Sequence, residues 1–267
     1  MNAKSAHAEL QTVLESIGTG AVAVSGGVDS MTLAVVAHRT LGLSVEMYHA
    51  TSAAVPPEAT ARVEHYALRE GWTLNLINAG EFTNQQYIDN PINRCYYCKT
   101  HLYDAIANAA DGVLMSGTNT DDLGDFRPGL TAAAEHNVRH PFVDANISKD
   151  TIRAIARQLE LDDLSELPAA PCLSSRVETG IPIAAPTLGA IHWTESFVGR
   201  ELEPDTVRCR VRASGIVIEL DPATLNGLSS ERLEMLRHAI AQRFPTAAGV
   251  TFAPYRMGSA FVAAPSL

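Results

Sequence analysis

Short apolar segments at 21–24, 44–48, 73–77, 112–116 and 139–143 alternate with runs of helical periodicity at 30–41, 57–70, 95–109, 128–137 and 148–160. This β-α rhythm predicts a mostly parallel, doubly wound sheet with helices on both faces. Ligands of such sheets bind beyond the carboxyl ends of the strands, so the loops there are the first places to look for chemistry. The pattern changes after Gly180. Ile181 to Pro186 reads as a linker, 187–201 as a helix, and Val207–Ala213 with Ile216–Leu220 as an alternating strand pair about Ser214-Gly215. A helix at 229–244 and a strand at 249–253 follow. The expected organisation is an α/β domain over 1–180 and a smaller α+β domain over 181–267. The chain carries no repeat at a fixed period and no low-complexity tract.

Composition narrows the function classes. The 267 residues are 46% apolar, ample for a core, yet contain no run long enough to span a membrane. Met1 to Gly18 has no hydrophobic signal core, so the expectation is a cytoplasmic protein without a membrane partner. Thirty acidic against twenty basic residues give a net charge of −10, which argues against a nucleic-acid partner and for a small substrate. Four cysteines in such a chain read as metal ligands or reactive thiols.

Ser25-Gly-Gly-Val-Asp-Ser30 lies where the first strand passes into a helix. Adjacent glycines allow a tight turn with unhindered N–H groups, the helix start adds partial positive charge, and Ser25 and Ser30 bring hydroxyls: a phosphate cradle. Asp29 would repel phosphate unless it holds the Mg²⁺ that travels with a nucleotide. The loop has neither the Gly-Lys-Ser/Thr ending of a Walker loop nor the G-x-G-x-x-G of a dinucleotide fold. It resembles the SGGxDS loop of the PP-loop ATP pyrophosphatases, whose fold is adenine nucleotide alpha hydrolase-like and which cleave ATP between its α and β phosphates to adenylylate a substrate. Ser25, Gly26, Gly27, Asp29 and Ser30 are therefore expected to bind ATP.

Two more loops belong to that edge: Gly117-Thr-Asn-Thr-Asp-Asp-Leu-Gly-Asp125, in which Gly117 is a candidate nucleotide contact, and Pro168 to Arg176. Asp121, Asp122 and Asp125 either order the first by Asx-turns or contribute to metal and ribose binding. Cys95-Tyr-Tyr-Cys98 opens a predicted helix, where thiolates are stabilised, but a C-x₂-C pair by itself is ambiguous between redox, zinc and iron–sulfur use. With Cys172 it makes three thiolates, an incomplete set for a closed zinc site but one that leaves an iron of a 4Fe-4S cluster open. Arg208, Arg210 and Arg212 alternate on one strand face, in register with Glu219, and favour an anion site over a solvated strand edge charged against pairing. Cys209 could complete a Cys₄ site, but it points the other way and reads as a packed residue. Arg176 is either a phosphate ligand or part of a surface salt bridge. His49 reads as a packed strand-end residue, and Tyr96 and Tyr97 as core aromatics.

Taken in order and spacing, SGGVDS (25–30), NPINRCYYCK (90–99), SGTNTDDLGDFRPGL (116–130), PAAPCLSSR (168–176), the strand 208–212 and Tyr255-Arg-Met-Gly-Ser259 resemble the LarE family of ATP-dependent sulfur transferases over nearly the whole chain. The resemblance implies conversion of pyridinium-3,5-biscarboxylic acid mononucleotide to its bisthiocarboxylate for the nickel pincer nucleotide, with ATP and Mg²⁺, and a tendency to homo-oligomers. It implies that Cys95, Cys98 and Cys172 hold a 4Fe-4S cluster fed by a sulfide donor, the alternative in the family being a single sacrificed cysteine at the place of Cys172. It further implies that Arg208 and Arg210 hold phosphate near the reactive cysteine, with Glu219 close by. Rival readings are a PP-loop tRNA thiolase, a non-catalytic adenine nucleotide sensor and an amide-forming enzyme of the NAD synthetase kind. These would call for a basic tRNA surface, for incidental cysteines and for an ammonia source, respectively.

Overall fold

Four of the five apolar segments form strands: β1 Gly20–Ala23, β2 Val45–Ala50, β3 Leu74–Ile77 and β4 Val113–Ser116. All are parallel, in the order β3-β2-β1-β4. The computed structural model describes residues 2–124, 127–169, 171–245 and 247–261; Asp125 therefore lies outside the described residues.

Alternation along each strand explains the helices on both sides. Val22, Val45, Met47 and Met115 point to one face, where Leu10, Leu14, Leu33 and Ile152 of the helices Ala3–Ile17, Val28–Leu41 and Lys149–Gln158 cover them. Ala21, Ala23, Tyr48 and Leu114 point to the other and meet Tyr103 and Ile106 of Arg94–Ala107 and Ala132 and Ala133 of Pro128–Glu135. The Ala3–Ile17 helix starts at an Asn2 cap and buries Ala6, Leu10 and Leu14, a stripe at four-residue spacing in a segment read from the sequence only for what it lacks.

The predicted strand at 139–143 does not form. Arg139 makes a single parallel bridge to Met115, and Pro141 then opens a short helix, Pro141–Asp144. Proline has no N–H to offer a ladder and its fixed φ suits the first helical turn, so the sheet ends at β4.

By its internal contacts the chain divides into two units, Met1–Thr83 with Asn93–Ala170, and Asn84–Ile92 with Pro171–Leu267. The second is built on a three-stranded sheet, β5 Val207–Arg212, β6 Gly215–Leu220 and β7 Val250–Pro254, in that order, β6 being antiparallel to β5 and parallel to β7. The helix Ala185–Leu202 packs on β5 and Ser230–Ala241 on β7. Among the described residues, no helix is long and apolar enough to cross a membrane.

Candidate functional site

The strand order puts the topological switch between β1 and β4, because the chain winds from β1 outward to β2 and β3 and then returns to the opposite side of β1. The loops after these two strands meet in the crevice that a switch point opens. At Gly117, the residue after β4, an added Cβ would stand 2.8 Å from the Ser30 nitrogen and 3.0 Å from the Asp29 carbonyl carbon, so only glycine lets the second loop lie against the first. Two cavities of about 250 Å³ lie instead at the amino-terminal edge, lined by residues such as Gly20, Gly112 and Asp111, and are removed from this chemistry.

The loop Ser25–Ser30 is held from within. Gly26 adopts φ +80°, and a Cβ there would be 2.7 Å from the Ala59 carbonyl oxygen. Gly27 caps the helix Val28–Leu41 in an extended conformation. The buried Ser30 hydroxyl accepts the Ser25 N–H at 3.0 Å and donates to the Gly27 carbonyl at 3.2 Å, with the Ser25 hydroxyl 3.0 Å away. Ser30 thus braces the turn, while exposed Ser25 sits at its mouth. Arg62 donates to the Gly26 carbonyl at 2.8 Å. His49 is buried, its ring nitrogens 2.8 Å from the Val24 carbonyl and 2.9 Å from the Thr60 hydroxyl; burial lowers its pKa and favours the neutral ring, a packed strand-end residue as expected.

Asp29, in the first turn of that helix, is the chemically unusual group. Its Oδ2 accepts from Lys149 Nζ at 3.3 Å and, at the long limit, from Asn119 Nδ2 at 3.5 Å. Its Oδ1 is buried without a hydrogen-bond partner. Burial pushes the carboxyl's pKa up, the Lys149 ammonium opposes this, and Asp122 adds to the rise. A lone carboxylate oxygen next to a phosphate-type loop suits a hard divalent cation, which takes oxygen ligands, so Asp29 fits Mg²⁺. The second loop is self-ordered: Asn119 Oδ1 accepts from the Asp121 N–H at 3.0 Å, Asp122 Oδ2 from the Asn119 N–H at 3.1 Å, and Asp121 Oδ2 from the Lys149 N–H at 2.9 Å. Asn119 thus makes the turn, Asp122 braces it, and Asp121 ties the loop to the start of the helix Lys149–Gln158.

Cys95 and Cys98 lie in the first turns of the helix Arg94–Ala107, three residues apart and so on one face, both half-buried. Tyr96 and Tyr97 meet edge to face at 5.3 Å, and the Tyr96 hydroxyl donates to Glu135.

Cys172, Arg176, Arg208, Arg210 and Glu219 all belong to the other unit. Cys172 is exposed, but its backbone is fixed. Its carbonyl accepts the Ser175 N–H at 3.0 Å and Arg176 Nη1 at 3.2 Å, and Nη1 also reaches the Pro171 carbonyl at 2.6 Å. The remaining Arg176 donors form a two-pronged pair with Glu195, both contacts at 3.0 Å. Arg176 is thus in a salt bridge, but a buried one whose donors grip the cysteine loop rather than face solvent. Glu195 Oε1 also accepts the Cys209 N–H at 2.9 Å, tying β5 to that loop. Cys209 is fully buried, and burial raises its thiol pKa far above the ordinary range.

On the opposite face of β5, Arg210 Nε donates to Glu219 Oε2 at 2.9 Å and its outer nitrogens to the carbonyls of Ser175 and Arg256. Arg212 reaches Glu219 Oε1 at 3.0 Å, where the Ser259 hydroxyl also donates at 2.6 Å. Burial works against the Glu219 charge, but the Ser259 hydroxyl, Arg210 and Arg212 outweigh it and lower the pKa. Arg208 donates to the Val207 carbonyl at 2.7 Å and lies 5.9 Å from the Tyr255 ring centroid; burial, then the like charge of Arg176, lowers its pKa. Within neither unit do three or more described His, Cys, Asp or Glu side chains gather as a metal site.

No family model matches the sequence. An uncharacterized protein of Synechocystis sp. is 37% identical over 205 residues, 75% of this chain and 76% of that protein. An uncharacterized protein of Methanocaldococcus jannaschii is 31% identical over 179 residues, 62% of this chain and 69% of that protein. This chain belongs to their family. It is also similar to the pyridinium-3,5-bisthiocarboxylic acid mononucleotide synthase of Lactiplantibacillus plantarum, 27% identical over 223 residues, 82% of this chain and 80% of the synthase.

Sequence reasoning missed Lys149 and Glu195, and it placed Asn119 and Ser259 in motifs without assigning them a role. Lys149 follows the helix-capping Ser148, a visible signal, but its pairing with Asp29 across 120 residues is not. Glu195 sits inside a helix and looks like any solvent-facing glutamate until Arg176 is placed beside it.

Proposed function

We propose that this chain is an ATP-dependent sulfur transferase that adenylylates the carboxylates of pyridinium-3,5-biscarboxylic acid mononucleotide and converts them to thiocarboxylates for the nickel pincer nucleotide. The L. plantarum relative is named for that product. The observation that carries the reading is the buried, unpartnered Oδ1 of Asp29 beside a glycine loop at the switch point.

A carboxylate is a poor electrophile, so the reaction starts by giving it a leaving group. The substrate oxygen attacks the α-phosphorus of ATP, the bond to the β-phosphate oxygen breaks, and pyrophosphate departs. The Gly26–Gly27 backbone, the Ser25 hydroxyl and the helix start at Val28 bind the departing phosphates and stabilise charge where it develops. Asp29 would hold Mg²⁺, which neutralises that charge when bound. A sulfur nucleophile then adds to the acyl carbon and AMP leaves.

The three thiols suit iron in kind: none is in a disulfide, and Cys95 and Cys98 share a helix face. Cys95, Cys98 and Cys172 would hold a 4Fe-4S cluster, which supplies an iron open to exogenous sulfide. Arg176 and Ser175 keep the Cys172 backbone fixed while its side chain stays exposed. Arg208 and Arg210 would bind the phosphate of the substrate, and Glu219 sets the guanidinium plane of Arg210 through Nε.

The test is AMP, pyrophosphate and thiocarboxylate formation by anaerobically purified protein supplied with substrate, ATP, Mg²⁺ and sulfide. Asp29→Ala should abolish AMP release with an unchanged melting curve. Normal AMP release by that variant would refute the reading, and salt-sensitive tRNA thiolation in place of the small-molecule reaction would replace it.

A further inference from the structure

We propose that Lys149 is an exchange ligand of the nucleotide site: it neutralises Asp29 in the nucleotide-free protein and transfers to phosphate when a divalent cation and ATP arrive together. This rests on reading the Asp29 loop as the nucleotide site. Lys149 Nζ stands 3.3 Å from Asp29 Oδ2, with 39% of the lysine and 21% of the aspartate side chain exposed, so the pair is reachable from solvent. The ammonium covers one carboxylate oxygen and leaves Oδ1 buried and without a donor. The aspartate is therefore only half satisfied in this arrangement.

A divalent cation arriving alone must take Asp29 while an ammonium stands within about 4 Å of it, a repulsive arrangement that the single charges of Asp121 and Asp122 relieve less than a polyphosphate would. Arriving with a polyphosphate, the cation takes the carboxylate while the phosphate oxygens offer Lys149 a more highly charged acceptor. Occupancy of Asp29 by metal is thereby coupled to nucleotide. By linkage, the coupling is reciprocal.

The helix start does not depend on the lysine side chain. Ser148 caps the helix Lys149–Gln158 by accepting the Thr151 N–H, and the Lys149 N–H is held by Asp121. The neighbouring cation cannot substitute, because Arg153 donates to the carbonyls of Ser165 and Leu167. Among the described residues, Lys149 is thus the cation that the fold leaves both beside Asp29 and within reach of solvent.

The experiment measures two affinities in wild type, Lys149→Met and Lys149→Arg: Mn²⁺ alone, by electron paramagnetic resonance, and Mg²⁺ with α,β-methylene-ATP, by calorimetry. In Lys149→Met, Mn²⁺ should bind the nucleotide-free protein about fivefold more tightly, the scale of a partly exposed ion pair. The Mg²⁺–nucleotide analogue should bind about tenfold more weakly, the scale of a lost charge-assisted phosphate contact. Lys149→Arg should return both values toward wild type. Two unchanged affinities, or two shifts of the same sign, overturn the exchange while leaving nucleotide binding at Asp29 intact. A wild-type protein that binds no analogue, with Asp29→Asn unchanged toward Mn²⁺, overturns the site reading and the exchange together.

Discussion

Glu219→Gln tests the buried charge cluster of β5 and β6 most directly. Glu219 is 3% exposed and Arg210 5%, and the glutamate accepts from Arg210, Arg212 and Ser259. The substitution keeps the shape but removes the negative charge, leaving the buried Arg210 guanidinium without its counterion. Breaking a buried pair from one side costs about 3–5 kcal/mol; the retained Ser259 contact and the partial exposure of Arg212 put this case near about 3 kcal/mol. Hydrogen exchange by mass spectrometry reads the cost locally. About 3 kcal/mol corresponds to roughly a hundredfold faster exchange for β5 and β6 amides that open together. The pH dependence follows from the lowered pKa. Glu219 stabilises the fold fully above the ordinary glutamate range, and that contribution is lost as pH falls through the lower folded value. Wild type should lose protection in β5 and β6 on acidification through that region, and Glu219→Gln should be flatter there. Exchange within threefold of wild type at neutral pH would show that the cluster contributes little and that this account of its energetics is wrong.

Gly117→Ala should weaken nucleotide binding at least tenfold, since its Cβ would stand 2.8 Å from the Ser30 nitrogen and must push the two loops apart; calorimetry with α,β-methylene-ATP measures it. Any one of Cys95→Ala, Cys98→Ala and Cys172→Ala should lose both iron and sulfur transfer in anaerobic protein, and Cys172 should be intact after several turnovers. Loss of H₂S from Cys172 with one sulfur transferred per chain would replace the cluster by a sacrificed cysteine.

Local chemistry carried much of this reading. Ser25-Gly26-Gly27 marked a tight strand-to-helix turn because its requirements, a positive φ at Gly26 and a following helix, are met by neighbours in the chain. Period-two alternation separated Cys209 from Arg208 and Arg210 for the same reason: a strand sends adjacent side chains to opposite faces. The absence of a fifth strand is equally local: Pro141, inside the apolar run 139–143, opens a helix where a ladder would need its N–H.

Chain order and residue type alone thus specify the α/β class, the place of the loop on the sheet and the side chains available for chemistry. Which of them meet is fixed only by the winding of the chain. Asp29 acquires Lys149, and Gly117 its contact with Ser30, only because β4 returns beside β1. Arg176 becomes an internal clamp on Cys172 only because the helix carrying Glu195 lies along β5. The strength and partner of a charge depend on burial and on approach within a few ångströms, quantities that chain distance does not encode; they exist once the sheet is wound.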